Sequence, residues 1–225
     1  VENGLAAVFP RVYINIQSRV LRMPTILDLC SGLGGATEAF SQAGWNVIRI
    51  ESNPELAYVP FTQTLDVLEW EEWVPNLPDR VDVVWASPPC REFSRGFAAP
   101  APTAERAGLP FEPSMELVRA CLDIIDYLKP KWWVIENVRG ALSSFIDVHP
   151  LGKPKQNIGP FFLWGNFPRI IMPYSFEHLK SSVDVWSTNP LRANLKAMIP
   201  FEVSFAFLES VTRQQTLERW CSLGD

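Results

Sequence analysis

Between Thr25 and Gly44 the chain runs from a short apolar segment, Thr25–Leu29, into a turn holding three glycines. It then enters a segment of helical character, Ala36–Ala43, closed by Gly44. A strand that feeds a tight turn and then a helix buries its apolar residues against further strands of the same kind. The rest of the chain repeats the pattern. Trp45–Ile50 reads as a second strand closing on Glu51, a helix or turn follows at Pro54–Tyr58, and a third segment runs through Leu65 to Asp66. Val81–Ala86 is a buried strand ending at Ser87-Pro-Pro-Cys90. Ser114–Leu128 is periodic, opens on a serine cap and is stopped by Pro130. Trp132–Ile135 is a further buried strand, Pro160–Leu163 and Ile170–Met172 read as later ones, and Phe201–Trp220 is a helix introduced by Pro200. Alternating strands and helices predict an α/β fold with a parallel sheet. In such sheets ligands sit at the carboxyl ends of the strands, and every polar signal described below falls at such an end.

With 225 residues, 47% of them hydrophobic, the chain is long enough for one domain with a sizeable core and short for two. The opening residues 1–23 are expected to be an extension, with an alternating run at Val12–Ile16 as a candidate strand. The apolar runs are far shorter than a membrane span, and no charged-apolar-small leader opens the sequence. The four cysteines, Cys30, Cys90, Cys121 and Cys221, form no C-x-x-C pair, and only His149 and His178 are available to join them. Neither a zinc site nor a disulfide framework is expected, and a reducing cytoplasm fits best. The net charge is −5 and the pI about 5.2. Proteins that grip nucleic acid alone usually carry net positive charge, so any such contact here needs a local basic surface.

Two ends of the sheet carry the candidate chemistry. Asp28-Leu-Cys-Ser-Gly-Leu-Gly-Gly35 joins the first strand to its helix, where glycines let the backbone approach a ligand. Glu51, followed by Ser52, stands where a carboxylate accepts hydrogen bonds from ribose hydroxyls, and Asp66, followed by Val67, where one meets an adenine amino group. At the other end, Ser87-Pro-Pro-Cys90 leaves a thiol at a strand mouth on a turn stiffened by two prolines. A thiolate suits attack on a ring carbon. Glu136-Asn-Val138 ends the strand Trp132–Ile135, and a carboxyl desolvated beside tryptophans can hold a proton.

Together these stretches resemble the cytosine-5 DNA methyltransferase family. The matching pieces are Asp28–Gly35, Ser87-Pro-Pro-Cys90-Arg-Glu-Phe-Ser94 and Ile135-Glu-Asn-Val-Arg-Gly140, in the family's order, with a weaker match at Ala197–Ser204. The resemblance covers about Pro24 to Val211. It implies a Rossmann-like class I S-adenosylmethionine-dependent methyltransferase fold, with a mostly parallel seven-stranded sheet flanked by helices. It implies that Cys90 attacks cytosine C6 while Glu136 hydrogen-bonds and protonates N3, so that C5 accepts the methyl group. The cofactor residues implied are Asp28, Cys30, Ser31, Gly32, Leu33, Gly34, Gly35, Glu51, Ser52, Asp66, Val67 and Pro88. Those implied for the substrate are Ser87, Pro89, Arg91, Ser94, Arg95, Asn137, Arg139 and Gln156. The stretch Arg91–Pro113, with Arg91, Arg95 and Arg106, looks like the family's catalytic loop, which closes over a base taken out of its stack.

The chain departs from the family pattern twice. The family's Gln-x-Arg-x-Arg motif is represented only by Gln156-Asn-Ile-Gly-Pro160, which keeps the glutamine and loses both arginines. Arg139 and Lys155 are spatial candidates for the missing cation. The second departure is the target-recognition region, which shrinks to a short insert at 173–192. Direct base readout needs side chains placed in a groove, so the expectations are low sequence specificity, a partner that supplies recognition, or a single-stranded substrate. The other readings carried forward are an exocyclic-amine methyltransferase, a tRNA-methylating member of the same family and a catalytically silent regulatory module. Amine chemistry does not need Cys90, and a silent module has no chemical reason to keep Cys90 with Glu136. A nicotinamide dehydrogenase lacks a hydride-transfer site.

Overall fold

The computed structural model describes residues 22–172, 175–176 and 188–221, with side chains through Gln214. The candidate strand Val12–Ile16 and most of the insert 173–192 lie outside the described residues. Among the described residues seven strands form one sheet: β1 (Thr25–Leu29), β2 (Asn46–Glu51), β3 (Thr62–Thr64), β4 (Val83–Ala86), β5 (Trp132–Asn137), β6 (Gln156–Ile158) and β7 (Phe161–Asn166). Their order is β3-β2-β1-β4-β5-β7-β6. The first five strands run parallel, and β7 is antiparallel to both β5 and β6. The helices are α1 (Glu38–Gln42), α2 (Trp70–Trp73), α3 (Pro100–Arg106), α4 (Glu116–Leu128), α5 (Leu142–Phe145), α6 (Arg192–Ala197) and α7 (Phe201–Cys221). Among the described residues no helix is long and apolar enough to cross a membrane.

The period-2 alternation of the central strands sends successive residues to two separate cores. Leu27, Leu29, Ile48, Ile50, Val84, Ala86 and Ile135 face α4, where Val118, Cys121, Ile124 and Ile125 close the layer. Ile26, Val47, Val83, Trp85 and Val134 face Phe40 of α1 and Val203, Ala206, Phe207 and Val211 of α7. Each large side chain buried this way stabilises by roughly 1.5–3 kcal/mol. Residues buried on both faces explain why β1 and β4 read as apolar runs, interrupted in β1 by the buried Thr25 and Asp28.

Two readings of the chain need correction. Ile170–Met172 is not a strand. The Gln156 side chain accepts from the Ile170 N–H at 3.0 Å and donates to the Ile170 carbonyl at 2.7 Å, occupying the groups a strand ladder would use. The strand in this region is instead Gln156–Ile158, only three residues long. The segment Ala36–Ala43 is helical in two pieces, a 3-10 turn over Gly35–Thr37 and then α1. Ser114 does support the helix it precedes, since its hydroxyl accepts from the Glu116 N–H at 3.3 Å.

Strand order reverses between β1 and β4, so their connections leave the sheet in opposite directions and open a crevice at the carboxyl ends. The register sets what meets there. Leu29 is opposite Ile50 on one side and Ala86 on the other, and Ala86 is opposite Ile135. Cys30, Glu51, Ser87 and Glu136 therefore emerge at one level along the top of the sheet.

Candidate active site

A cavity of about 590 Å³ opens at this level, within the range of cofactor and ligand pockets. Cys30, Ser31, Gly32, Leu33 and Gly35 form one wall, with Glu51, Ser52, Asp66 and Val67 beside them. Ser87, Pro88, Pro89, Cys90, Arg91, Ser94 and Glu136 line the other part. One cavity thus brings together the candidate catalytic pair and ten of the twelve cofactor candidates expected from the sequence, all but Asp28 and Gly34.

At the glycine-turn end, both oxygens of Glu51 are set by the backbone. Oε2 accepts from the Gly32 N–H at 2.8 Å and Oε1 from the Asn53 N–H at 2.9 Å. An ionised carboxylate has about four acceptor positions, so two lone pairs remain for ligand hydroxyls. Asp66 caps the turn after β3, its carboxylate accepting from the Leu68 N–H at 2.9 Å. Cys30 adopts φ 54°, and its thiol is pushed well above its ordinary range by a hydrogen bond with the Cys121 thiol and by burial. It is held as a neutral thiol against the cavity wall.

At the Cys90 end, the turn after β4 and the end of β5 are tied to each other. The Asn137 amide donates to the Pro88 carbonyl at 3.0 Å, and its side-chain oxygen accepts from the Val138 N–H. The Phe93 carbonyl lies where a Cβ on Gly140 would fall, so the chain after Cys90 crosses directly over that glycine. Phe93 then anchors the segment by packing edge-on against Phe145 at 5.3 Å. The Ser87 hydroxyl accepts from the Trp85 indole N–H at 2.8 Å. These links hold half-buried Cys90 and buried Glu136, 9% exposed, on facing elements of one cavity.

Several expected residues lie elsewhere. Asp28 is fully buried beneath the glycine turn, where its carboxylate accepts from the Thr37 hydroxyl at 2.9 Å. Gly34 packs on the Arg49 guanidinium, and Asn137 is buried behind the turn. Arg95 is 70% exposed and reaches Glu105 at 3.9 Å, while Arg139 is also exposed. Gln156 is committed to Ile170 and lies away from Cys90, so the departure from the Gln-x-Arg-x-Arg motif is not repaired at that position. None of these six lines the cavity.

The far wall comes from the C-terminal segment, to which the sequence pointed only through the match at Ala197–Ser204, while Ala193 and Asn194 were missed. Ala193, Asn194, Ala197, Met198 and Ile199 line the cavity. The segment is docked by Ser204, whose hydroxyl donates to the Ala36 carbonyl at 2.7 Å and accepts from the Ala39 N–H at 3.1 Å. The weak match at Ala197–Ser204 was the available signal for this wall. Arg49 was missed outright, since a charged residue inside a strand otherwise suggests solvent.

The sequence profile of the C-5 cytosine-specific DNA methylase family matches residues 24–145. A probable DNA (cytosine-5)-methyltransferase of Frog virus 3 is 35% identical over 138 residues, covering 56% of this chain and 59% of that protein. The type II methyltransferase M.AplI of Arthrospira platensis is 31% identical over 131 residues, covering 57% of this chain and 34% of that protein. The type II methyltransferase M.NgoFVII of Neisseria gonorrhoeae is 29% identical over 128 residues, covering 54% and 32%. The chain therefore spans between about a third and three fifths of the length of these relatives.

Proposed function

The chain belongs to the C-5 cytosine-specific DNA methylase family, and from that premise we propose that it methylates carbon 5 of cytosine in DNA, with S-adenosylmethionine as methyl donor. The observation that carries the reading is the single cavity lined by Cys90 and Glu136 at one end and by the glycine turn and Glu51 at the other. Its residues fit the cofactor: a carboxylate with spare acceptor positions for ribose hydroxyls, a close-approach turn, and apolar walls from Ile50, Val67 and Leu68. When bound there, the cofactor supplies an electrophilic methyl group.

The chain's own residues do the rest. Cys90 as thiolate forms a bond to C6 of the cytosine while Glu136 delivers a proton to N3, so the electron pair displaced from the C5–C6 double bond makes C5 nucleophilic. After transfer, removal of the C5 proton and release of the Cys90 sulfur restore the double bond, and Glu136 recovers its proton. The Asn137–Pro88 link keeps the two groups in register through both stages. Arg91 and Ser94, at the mouth, are placed to contact the nucleotide that carries the base.

The substrate is proposed to present an unpaired cytosine. The insert at 173–192 is too short for a groove-reading domain, and the net charge of −5 disfavours strong autonomous duplex binding. Recognition of duplex sites would fall to a partner protein. The whole of 1–225 is proposed to act as one catalytic domain in a reducing cytoplasm, and the viral and bacterial relatives suit a viral or restriction-modification setting. The test is incubation with S-adenosylmethionine and single- or double-stranded DNA, followed by digestion and mass spectrometry of the nucleosides. 5-Methylcytosine should appear, and Cys90→Ser should abolish it while leaving the circular dichroism spectrum unchanged. Full activity in Cys90→Ser would sink the covalent scheme.

A further inference from the structure

The last three residues of β2 grip the glycine turn at three successive points. The Ile50 carbonyl accepts from the Ser31 N–H at 3.1 Å, Glu51 accepts from the Gly32 N–H at 2.8 Å, and Arg49 donates through Nη2 to the Gly34 carbonyl at 2.9 Å. Ile50 and Glu51 line the cavity themselves, whereas Arg49 lies beneath the turn with its side chain 1% exposed. A guanidinium is costly to bury, and this one is surrounded by acceptors. Its Nε donates to the Thr37 hydroxyl at 2.9 Å, Nη1 to the Pro60 carbonyl at 2.9 Å, and Nη2 approaches Glu38 at 3.4 Å. Thr37 passes the network on by donating to Asp28 at 2.9 Å. Gly34 takes φ 74°, and a Cβ there would meet the guanidinium, so turn and arginine fit only with glycine at this place.

We propose that Arg49 is a positioning residue of the cofactor site, holding the Gly34–Gly35 peptide so that its N–H faces an acceptor on the cofactor. The reasoning is geometric. A trans peptide places its C=O and N–H on opposite sides. Fixing the Gly34 carbonyl on the guanidinium below the turn therefore sends the Gly35 N–H the other way, to the side where Gly35 borders the cavity. The planar, five-donor guanidinium serves Gly34, Thr37 and Pro60 at once, which an ammonium on a flexible stem cannot do with the same rigidity. Support of this kind matters because a donor displaced by about 1 Å loses much of its effect. The inference rests on the cofactor reading above.

The test is isothermal titration of the full chain with S-adenosylmethionine and with its demethylated product, S-adenosylhomocysteine. The wild type is compared with Arg49→Lys, Arg49→Met and Thr37→Val, and each melt is recorded. A positioning role weakens binding in the folded fraction: Kd rises about tenfold or more in Arg49→Met and Thr37→Val, with partial recovery in Arg49→Lys, at unchanged stoichiometry. A merely structural role lowers the melting temperature and the stoichiometry while the Kd of the remaining sites stays at the wild-type value. If Arg49→Met does not fold, Arg49→Lys and Thr37→Val decide. Wild-type Kd in those two folded variants overturns the proposal. A wild type that binds neither ligand overturns the cofactor reading itself, and this inference with it.

Discussion

Gly35, in the turn after the first strand, has the backbone carbonyl of Ile199 packed where its side chain would be. The first and last parts of the cavity wall thus meet through a glycine that has no left-handed backbone requirement of its own. Gly35→Ala is therefore a steric test rather than a backbone one. The added methyl should push the 193–199 segment outward, cost about 1–3 kcal/mol in stability, and weaken S-adenosylmethionine binding more than it lowers the melting point suggests. Calorimetric titration alongside thermal denaturation separates the two effects. Unchanged affinity would mean that the C-terminal wall does not contribute to the site.

Asp28 predicts a pH dependence with a definite sign. Burial pushes its carboxyl up from 3.8 to about 7, against the opposing pull of Arg49 and of the Thr37 hydrogen bond. The folded state therefore holds a proton that the unfolded chain releases at lower pH. Stability from this group is fully present below about pH 4 and is lost as pH rises through about 7. The contribution is no more than about 4 kcal/mol. Asp28→Asn keeps an acceptor for Thr37 and removes the titration. Urea unfolding between pH 4.5 and 7.5 should show a falling stability in the wild type that flattens in the variant. Parallel slopes would mean that Asp28 titrates as an ordinary carboxyl.

The same neighbourhood explains what was legible in the sequence. β1, β4 and β5 could be read because strands buried on both faces are mostly apolar, and their ends could be read because Asp28–Gly35, Ser87–Cys90 and Glu136–Val138 are punctuated by glycine, proline and acids. Gln156–Ile158 could not be read, since three residues carry no period. Ile170–Met172 looked like a strand by composition, but its backbone is held by a glutamine side chain from a distant position. Arg49 was hidden for the opposite reason. Its acceptors are backbone carbonyls and Thr37, and the fact that a turn folds over a strand residue is visible only in three dimensions. Gly35, by contrast, was found as part of a turn, while its partner Ile199 was signalled only by the weak C-terminal match.

The stretch Arg91–Pro113 carries an aromatic group at the surface. Phe97 is 81% exposed, the Arg106 guanidinium stacks over its ring at 4.0 Å, and Arg106 also donates to the Phe97 carbonyl at 2.7 Å. The next two residues, Ala98 and Ala99, line the cavity. A planar aromatic beside a cation offers a stacking surface for an unpaired base, worth roughly 1–3 kcal/mol. Phe97→Ala should weaken single-stranded DNA binding about 5- to 100-fold, whereas Phe97→Trp should restore it, with S-adenosylmethionine affinity unchanged in both. Fluorescence anisotropy with a cytosine-containing oligonucleotide reads the difference. Equal affinity in all three proteins would remove Phe97 from the substrate surface.

The three cysteines with described side chains, Cys30, Cys90 and Cys121, should differ in reactivity by environment. Alkylating agents attack the thiolate and need access. Cys30 is half-buried at the cavity wall, but its thiol is held neutral chiefly by its hydrogen bond with Cys121, which is itself fully buried in α4. Cys90 is half-buried too, at the Ser87–Cys90 end of the cavity, and lies outside the Cys30–Cys121 pair. Iodoacetamide applied to the native protein near pH 7.5 should therefore modify Cys90 well ahead of Cys30 and Cys121, and the order should disappear in urea. Peptide mass spectrometry over a time course measures all three rates in one sample. Prior labelling of Cys90 should abolish the proposed methyl transfer, because the sulfur proposed to bond to C6 is then capped. Labelling of Cys30 at the same rate as Cys90 would show that the turn after β1 opens readily, and that its contact with Cys121 does not hold in solution.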